Sequence, residues 1–227
     1  MSKPHRSRPR SFLRRVALTT VAVGSLLPAL GSTTAAAAGP RSISPVLSGI
    51  AHRALDAADQ LQGYDDLRSY DPRHVTYNSY VVLRDQAAAL AASELGLPAS
   101  EVRDAWAATA LAKQTALLAA LTQLGVAYRS HTSQPGVGFD CSGLTTYAWG
   151  VAGRQLSRQS RAQINESQRV ERTAAEAGDL MYYPGHVMLF LGVGDAMVHS
   201  PYSGSEVEIT FLSERHARGV VFADPTR

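Results

Sequence analysis

A single cysteine, Cys141, stands in 227 residues, so no intrachain disulfide can form. In an exported chain a lone cysteine implies either an intermolecular bridge or a functional thiol. No apolar stretch reaches the ~20 residues that a membrane-spanning helix needs. The longest, Val16 to Leu30, is interrupted by Thr19, Thr20, Gly24, Ser25 and Pro28. A surplus of basic charge is also missing once the N-terminus is set aside. Lys3, Arg6, Arg8, Arg10, Arg14 and Arg15 account for most of the basic pI. The remainder holds 16 Lys and Arg against 19 Asp and Glu, a net charge of −3 with His neutral. No basic patch interleaved with aromatics survives there, which argues against nucleic acid as a partner.

What is present begins with a positive segment, an apolar core and the small residues Ala35 to Ala38. That order reads as a secretory signal peptide over residues 1–38. Arg14-Arg15 raises the twin-arginine route, but the residues after the pair do not demand it, and a Sec signal is the plainer reading. The mature chain is then expected to be exported, without a membrane span.

From about Pro45 to Leu124 the chain is rich in alanine and reads helical, with Pro-marked breaks at Asp71-Pro72 and Leu97-Pro98. Three helices are expected. The first runs from Val46 to Leu61 and the second from Val75 to Leu95, stopped by Gly96 and Pro98. The third is capped by Ser100 and carries Glu101 and Asp104 in its first turn. It continues to Leu124 on a stripe of Ala107, Leu111, Leu118 and Leu121, interrupted by Gln114. No repeat, heptad or metal motif occurs in this half.

Beyond Leu124 the composition shifts to glycine and strands. In Phe139-Asp140-Cys141-Ser142-Gly143-Leu144 a polar, glycine-rich loop passes into a helix with Leu144, Tyr147, Ala148 and Val151 on one face, closed by Gly150 and Gly153. Cys141 thus falls at a helix N-terminus, where free N–H groups and the helix dipole lower a thiol pKa from about 8.5. After Gly178 come short β runs at Leu180 to Tyr183, His186 to Val193, Ala196 to Ser200, Glu206 to Phe211 and Val220 to Ala223. A thiol-bearing helix followed by sequential strands predicts an α+β domain on an antiparallel sheet.

A cysteine nucleophile needs a base and a group to orient it. His186 and His199 flank the hairpin signal Gly192-Val193-Gly194-Asp195. A two-residue loop at Gly192-Val193 sets His186 opposite His199, while one at Gly194-Asp195 sets His199 opposite Phe190. Both registers put the two histidines on one face, but only the first lets them touch. His131 reads as a solvated loop residue.

The combination of Tyr128, Phe-Asp-Cys-Ser-Gly-Leu at 139 to 144, Leu-Ser-Arg-Gln-Ser-Arg-Ala-Gln at 156 to 163, Gly-Asp-Leu at 178 to 180, Gly-His-Val at 185 to 187 and Met-Val-His-Ser at 197 to 200 resembles the NlpC-type papain-like cysteine peptidases of bacterial cell walls. The resemblance covers roughly Leu111 to Phe222. It implies a papain-like C-terminal domain over residues 109–227, preceded by an all-α region over 39–108. It further implies Cys141 as nucleophile, His186 as base and His199 as the orienting member, with no cofactor and no metal. Tyr128 and the Cys141 N–H would form the oxyanion hole, and Asp140, Ser142 and Ser160 would line the substrate groove, Asp140 receiving a free amine. Two departures bear on the groove: Ser130-His131-Thr132 stands where the family commonly has Trp-Gly-Gly, and Met188 where it commonly has Gly.

The function so implied is a secreted, cell-wall-associated peptidoglycan endopeptidase. It would cut a stem-peptide bond, D-γ-glutamyl to meso-diaminopimelate or lysine, through a thioester. The helical region would inhibit the enzyme, tether it, or pack on it. The alternatives are a noncatalytic wall-binding or partner-binding module on the same fold and a cysteine acyltransferase or amidase. A zinc site from Cys141, His186 and His199 lacks close ligand pairs.

Overall fold

The computed structural model describes residues 45–61 and 75–227, so the expected signal peptide and the stretch from Gly63 to Pro72 lie outside the described residues. Alanine spacing builds the first two helices. In α1 (Pro45–Asp59) the buried positions are Leu47, Ala51, Ala54, Ala57 and Ala58. In α2 (Val75–Leu95) they include Tyr80, Ala87, Ala88, Ala91, Ala92 and Leu95. Small side chains on both facing stripes let the two axes approach closely. The Ser48 hydroxyl donates to the Thr122 carbonyl at 2.9 Å and the Tyr80 hydroxyl to Gln114 Oε1 at 2.6 Å, fixing both helices to the segment that follows.

The expected long third helix is instead two helices, α3 (Ala99–Ala107) and α4 (Leu111–Leu121). Pro98, not Ser100, occupies the N-cap position of α3, without a side-chain cap. The chain breaks at Thr109, whose hydroxyl donates to the Trp106 carbonyl at 3.1 Å, while the Gln114 amide donates to the Thr109 carbonyl at 2.7 Å. Ala110 is extended (ψ 152°) and starts the new helix. The gain is tertiary: Trp106 is buried and donates its indole N–H to Leu191 O at 2.9 Å, and α4 turns to lie in the core. From Lys113 to Leu121 every α4 residue but Thr115 is buried, whereas Ala107, on the expected stripe, is exposed.

Lys113 is the exception that α4 must satisfy. Its side chain is 3% exposed, and its ammonium ion-pairs with Glu176 and Asp179 at 2.7 Å and with Asp224 at 3.0 Å.

A six-stranded antiparallel sheet follows, from β3 (Gln168–Val170), β4 (Leu180–Tyr183), β5 (His186–Phe190), β6 (Ala196–His199), β7 (Glu208–Phe211) and β8 (Val221–Asp224), in the order β3-β8-β4-β5-β6-β7. A short hairpin of β1 (Ser133–Gln134) and β2 (Gly138–Phe139) forms within the stretch read from sequence as loop. It leads into α5 (Cys141–Val151), and α6 (Ser160–Glu166) precedes β3. A short α7 (Glu214–Ala217) lies between β7 and β8. One sheet face, with Leu180, Val187, Leu189, Val198 and Ile209, joins Leu144, Ala148 and Trp149 of α5, Leu117 and Leu121 of α4 and the alanines of α1 and α2 in one core. The other face carries a second core of Met181, Met188, Phe190, Met197, Leu212 and Phe222. The α+β architecture with a helical N-terminal region is therefore present, and helices and sheet share the larger core.

The β5–β6 register is neither of the two expected from sequence. Leu189 pairs with Val198 and Phe190 with Met197, and the loop is four residues, Gly192 to Asp195, closed by Leu191 N–H to Ala196 O at 2.9 Å. Gly192 (φ +88°) and Gly194 (φ +57°) both take left-handed backbone. Continuing that ladder sets His199 level with Met188, so the histidines are diagonal neighbours on one face, near enough for long side chains to meet.

Replacing Lys113 with Met leaves three carboxylates around a buried site that has lost its cation. Urea denaturation at pH 7 should show a loss of about 3–5 kcal/mol, the usual cost of breaking a buried charge pair from one side. A loss below about 1 kcal/mol would mean the cluster is solvated.

Candidate active site

Asp140 supplies the N-cap of α5: its Oδ1 accepts the Gly143 N–H at 2.7 Å, which places Cys141 as the first helical residue. The same carboxylate accepts two bonds from Arg158, at 2.8 Å and 3.0 Å, one from Ser142 Oγ at 3.3 Å, and the His131 N–H at 2.8 Å. Burial alone would raise the Asp140 pKa, but the Arg158 guanidinium and then the Gly143 and His131 N–H groups hold it below the ordinary carboxylate range. Both oxygens are thus filled from within the chain. Ser142, buried, faces Asp140 and accepts from Arg158 at 2.9 Å. Ser160 is half-buried at the start of α6, and its hydroxyl makes no hydrogen bond among the described residues.

Gly143 has no room for a side chain. A methyl there would overlap the Thr132 carbonyl oxygen and crowd the Arg158 guanidinium. His131 has an exposed side chain and the left-handed backbone (φ 57°) that aims its N–H at Asp140. The loop in which the chain departs from the commoner Trp-Gly-Gly is thereby tied to the N-cap. The polar run at 156 to 163 has a structural purpose too. Gln163, fully buried, donates to the carbonyls of Ser142 at 3.0 Å and Ser157 at 2.8 Å, holding α5 and bringing Arg158 to Asp140.

His186 reaches the site because Pro184-Gly185 form a two-residue turn between β4 and β5, with Gly185 at φ +92° and Tyr183 paired with His186. The Cys141 sulfur lies 4.0 Å from the Gly185 carbonyl oxygen and receives the Val187 N–H, so it rests on the backbone either side of His186. The His186 Nε2 lies 2.9 Å from His199 Nδ1. His199 Nε2 in turn lies 3.3 Å from Glu208 Oε1. Nε2 is thus engaged with His199, and Nδ1 is the other His186 ring nitrogen. Ser200 Oγ donates to the Phe139 carbonyl at 2.7 Å, stapling the end of β6 to the residue before the N-cap. Structure thus pairs His186 with His199 and sets the Cys141 sulfur against the backbone either side of His186.

Tyr128 is held by its N–H to Ser205 O at 2.8 Å and by a bridge to Phe139. Its phenol pKa is raised by burial and by the nearby Asp140 and Cys141, so the hydroxyl remains a neutral donor. Sequence reasoning gave no role to Arg158, Gln163, Glu208 or Tyr183. The Tyr183 ring packs 5.3 Å from His186 and stacks on His216 at 4.0 Å with an interplanar angle of 3°. Period-two alternation in β7 was the available signal for Glu208, which shares a sheet face with His199. Met188, the second departure, is fully buried in the second core and opens no groove space.

The electrostatics reverse one expectation. N–H groups of Val187, Ser142 and Cys141 do favour the thiolate, but burial, aided by the Asp140 charge, outweighs them and raises the Cys141 pKa above the ordinary thiol range. His186 is pushed from 6.5 down to about 3 by burial, His199 and His216. Thiol and imidazole therefore both rest neutral at pH 7.

A helix-borne cysteine set on an antiparallel sheet beside paired histidines defines a papain-like α+β fold. The NlpC/P60 family description matches residues 125–223. A "Probable endopeptidase" of Corynebacterium glutamicum (strain R) is 30% identical over 206 residues, 88% of this chain and 89% of that protein. The chain belongs to the NlpC/P60 family. Peptidoglycan endopeptidase RipA of Mycolicibacterium smegmatis is 36% identical over 78 residues, 33% of this chain and 16% of that protein. Murein DD-endopeptidase MepH of Escherichia coli is 32% identical over 113 residues, 45% of this chain and 41% of that protein. The chain thus spans between 16% and 41% of the length of these two relatives.

Two outcomes follow from the protonation states. Iodoacetamide should alkylate Cys141 with a rate rising about tenfold per pH unit from pH 6 to pH 9, as expected of a thiol titrating above that window. A plateau across neutral pH would show a preformed thiolate–imidazolium pair. Because folding lowers the His186 pKa, the unfolded chain binds more protons between pH 6.5 and about 3. This contribution is complete above pH 6.5 and is lost as pH falls, at up to about 1.4 kcal/mol per unit. The slope of urea stability against pH between 6 and 4 should be smaller in His186→Gln, and an unchanged slope would place the titration elsewhere.

Proposed function

We propose that this chain is a cysteine endopeptidase acting on the stem peptides of peptidoglycan, exported through the segment at residues 1–38 and working at the cell wall. One observation carries the reading: the single free thiol, at a capped helix N-terminus, rests against the backbone flanking His186, whose ring is hydrogen-bonded to His199. The names of RipA and MepH support the substrate class.

Chemistry begins from the neutral pair. The Cys141 S–H proton passes to His186 Nδ1 as sulfur bonds to the scissile carbonyl carbon, and the oxyanion is held by the Tyr128 hydroxyl and the Cys141 N–H. On collapse the C–N bond breaks, and the proton on His186 Nδ1 goes to the leaving amine. Water then attacks the thioester, giving a proton to Nδ1 that returns to sulfur as the C–S bond breaks. General-base transfer suits a thiol that is not ionised in advance.

Asp140 and Ser142 act by holding α5, Arg158 and the loop at 131 and 132, since their polar atoms are already engaged. Ser160, with its hydroxyl free among the described residues, is the groove residue of the three. The D-γ-glutamyl bond to meso-diaminopimelate or lysine is the one we assign for cleavage. The helical region serves as a buttress: α1 packs on α4, and α2 on α3 and the edge strand β7.

The test is incubation of the chain from Gly39 with purified peptidoglycan and defined stem peptides, products being read by mass spectrometry with and without an added amine. Cleavage should fall at least about 10³-fold in Cys141→Ala. Amine adducts in place of free acid would make it an acyltransferase, and peptidoglycan retention without cleavage would make it a binding module. Greater activity in a chain starting at Ala99 would replace the buttress with an inhibitor.

A further inference from the structure

The β6–β7 ladder pairs His199 directly with Glu208, so their side chains leave the sheet on the same face, about 5 Å apart at Cβ. The contact between His199 Nε2 and Glu208 Oε1, at 3.3 Å, joins a ring nitrogen to a carboxylate, which can only accept. His199 must therefore carry its proton on Nε2. A neutral ring has one N–H, so with Nε2 protonated His199 Nδ1 presents a lone pair. The His186 Nε2 facing it at 2.9 Å must then be the donor. His186 Nδ1 is left as a lone pair, and Nδ1 is the nitrogen available to the thiol.

The opposite arrangement uses the same heavy-atom positions. If His199 Nδ1 donated to His186 Nε2, the single proton of His186 would sit on Nδ1 and could not accept another. Nothing in the His186–His199 contact chooses between the two, because either ring can donate across it. The choice is made one residue further out.

We infer that Glu208 is a positioning residue that sets the tautomers of His199 and His186 in series and so makes His186 Nδ1 a base. This rests on the reading of Cys141 and His186 as the reacting pair. When His186 takes the thiol proton, both its nitrogens carry hydrogen. The ring donates to His199 Nδ1, and the Glu208 carboxylate lies at the end of the same hydrogen-bonded chain, where its charge favours the imidazolium. The carboxylate touches neither sulfur nor substrate. Its side chain is 45% exposed, so its replacement leaves both cores intact.

The test is long-range ¹H–¹⁵N correlation on ¹⁵N-histidine-labelled full chain at pH 8, which reports which nitrogen of each ring is protonated. Wild type should show Nε2–H on both His186 and His199. In Glu208→Lys the residue can only donate, and both rings should invert to Nδ1–H while the melting temperature stays within a few degrees. In Glu208→Gln the amide oxygen can still accept, and the wild-type tautomers should persist. Turnover should follow the tautomers: kcat about 100-fold lower in Glu208→Lys with KM little changed, and near wild type in Glu208→Gln. That loss lies below the roughly 10⁴-fold cost of a wrong tautomer in a serine triad, because Glu208 acts on His186 only through His199. His186 carrying Nδ1–H in wild type, or unchanged tautomers in Glu208→Lys, would overturn the inference. Both readouts stand even if wild type cleaves no stem peptide, so the two readings fail separately.

Discussion

The Asp140 carboxylate holds together the end of the molecule that carries Cys141. A buried charge is tolerated only when it is paired and its lone pairs are filled, and Asp140 meets that condition by gathering donors from three stretches distant in sequence. The Gly143 N–H belongs to α5, the His131 N–H to the preceding loop, and the Arg158 guanidinium to the segment before α6. A helix N-cap alone is worth about 1 kcal/mol. Here the same oxygens also fix where the loop and Arg158 lie, so the position of Cys141 depends on all three. The absence of a side chain at Gly143 belongs to this arrangement, because Thr132 O and the guanidinium occupy the space a methyl would need.

The opposite flank of the thiol is governed by a different constraint, desolvation. Burial acts on Cys141 and His186 in opposite senses, raising the one pKa and lowering the other, so both rest uncharged. The free N–H groups at the helix start lean towards the thiolate but are outweighed by low dielectric and by the Asp140 charge. The carboxylate that caps the helix thus works against early ionisation of the residue it positions. In the proposed reaction, proton transfer would coincide with attack, and the hydrogen-bonded line from His186 through His199 to Glu208 would accommodate the imidazolium.

Local signals were accurate where one residue type dictates backbone or face. The start of α5 and the common face of His186 and His199 both follow from short-range rules, and strand parity holds whatever the register. The register itself was misread, because two glycines in one loop permit several turns. The choice of a four-residue loop accompanies the bond from Trp106 to Leu191, 85 residues apart. The break between α3 and α4 escaped notice for a similar reason: Ala107 to Leu111 has ordinary helix formers, and only burial of Trp106 and of α4 on most of its sides favours the kink. Glu208 was invisible as a partner until β7 was known to pair with β6.

By itself the amino-acid sequence determined that one thiol would start a helix, that two histidines would lie on one sheet face, and that an alanine-rich half would fold as helices. Those outcomes depend on spacing, φ preferences and alternation, which act over a few residues. Tertiary structure decided which nitrogens meet, which acid stands behind His199, and whether the thiol rests protonated. Such properties depend on register and on burial, which arise only when segments far apart in the chain exclude water from one another.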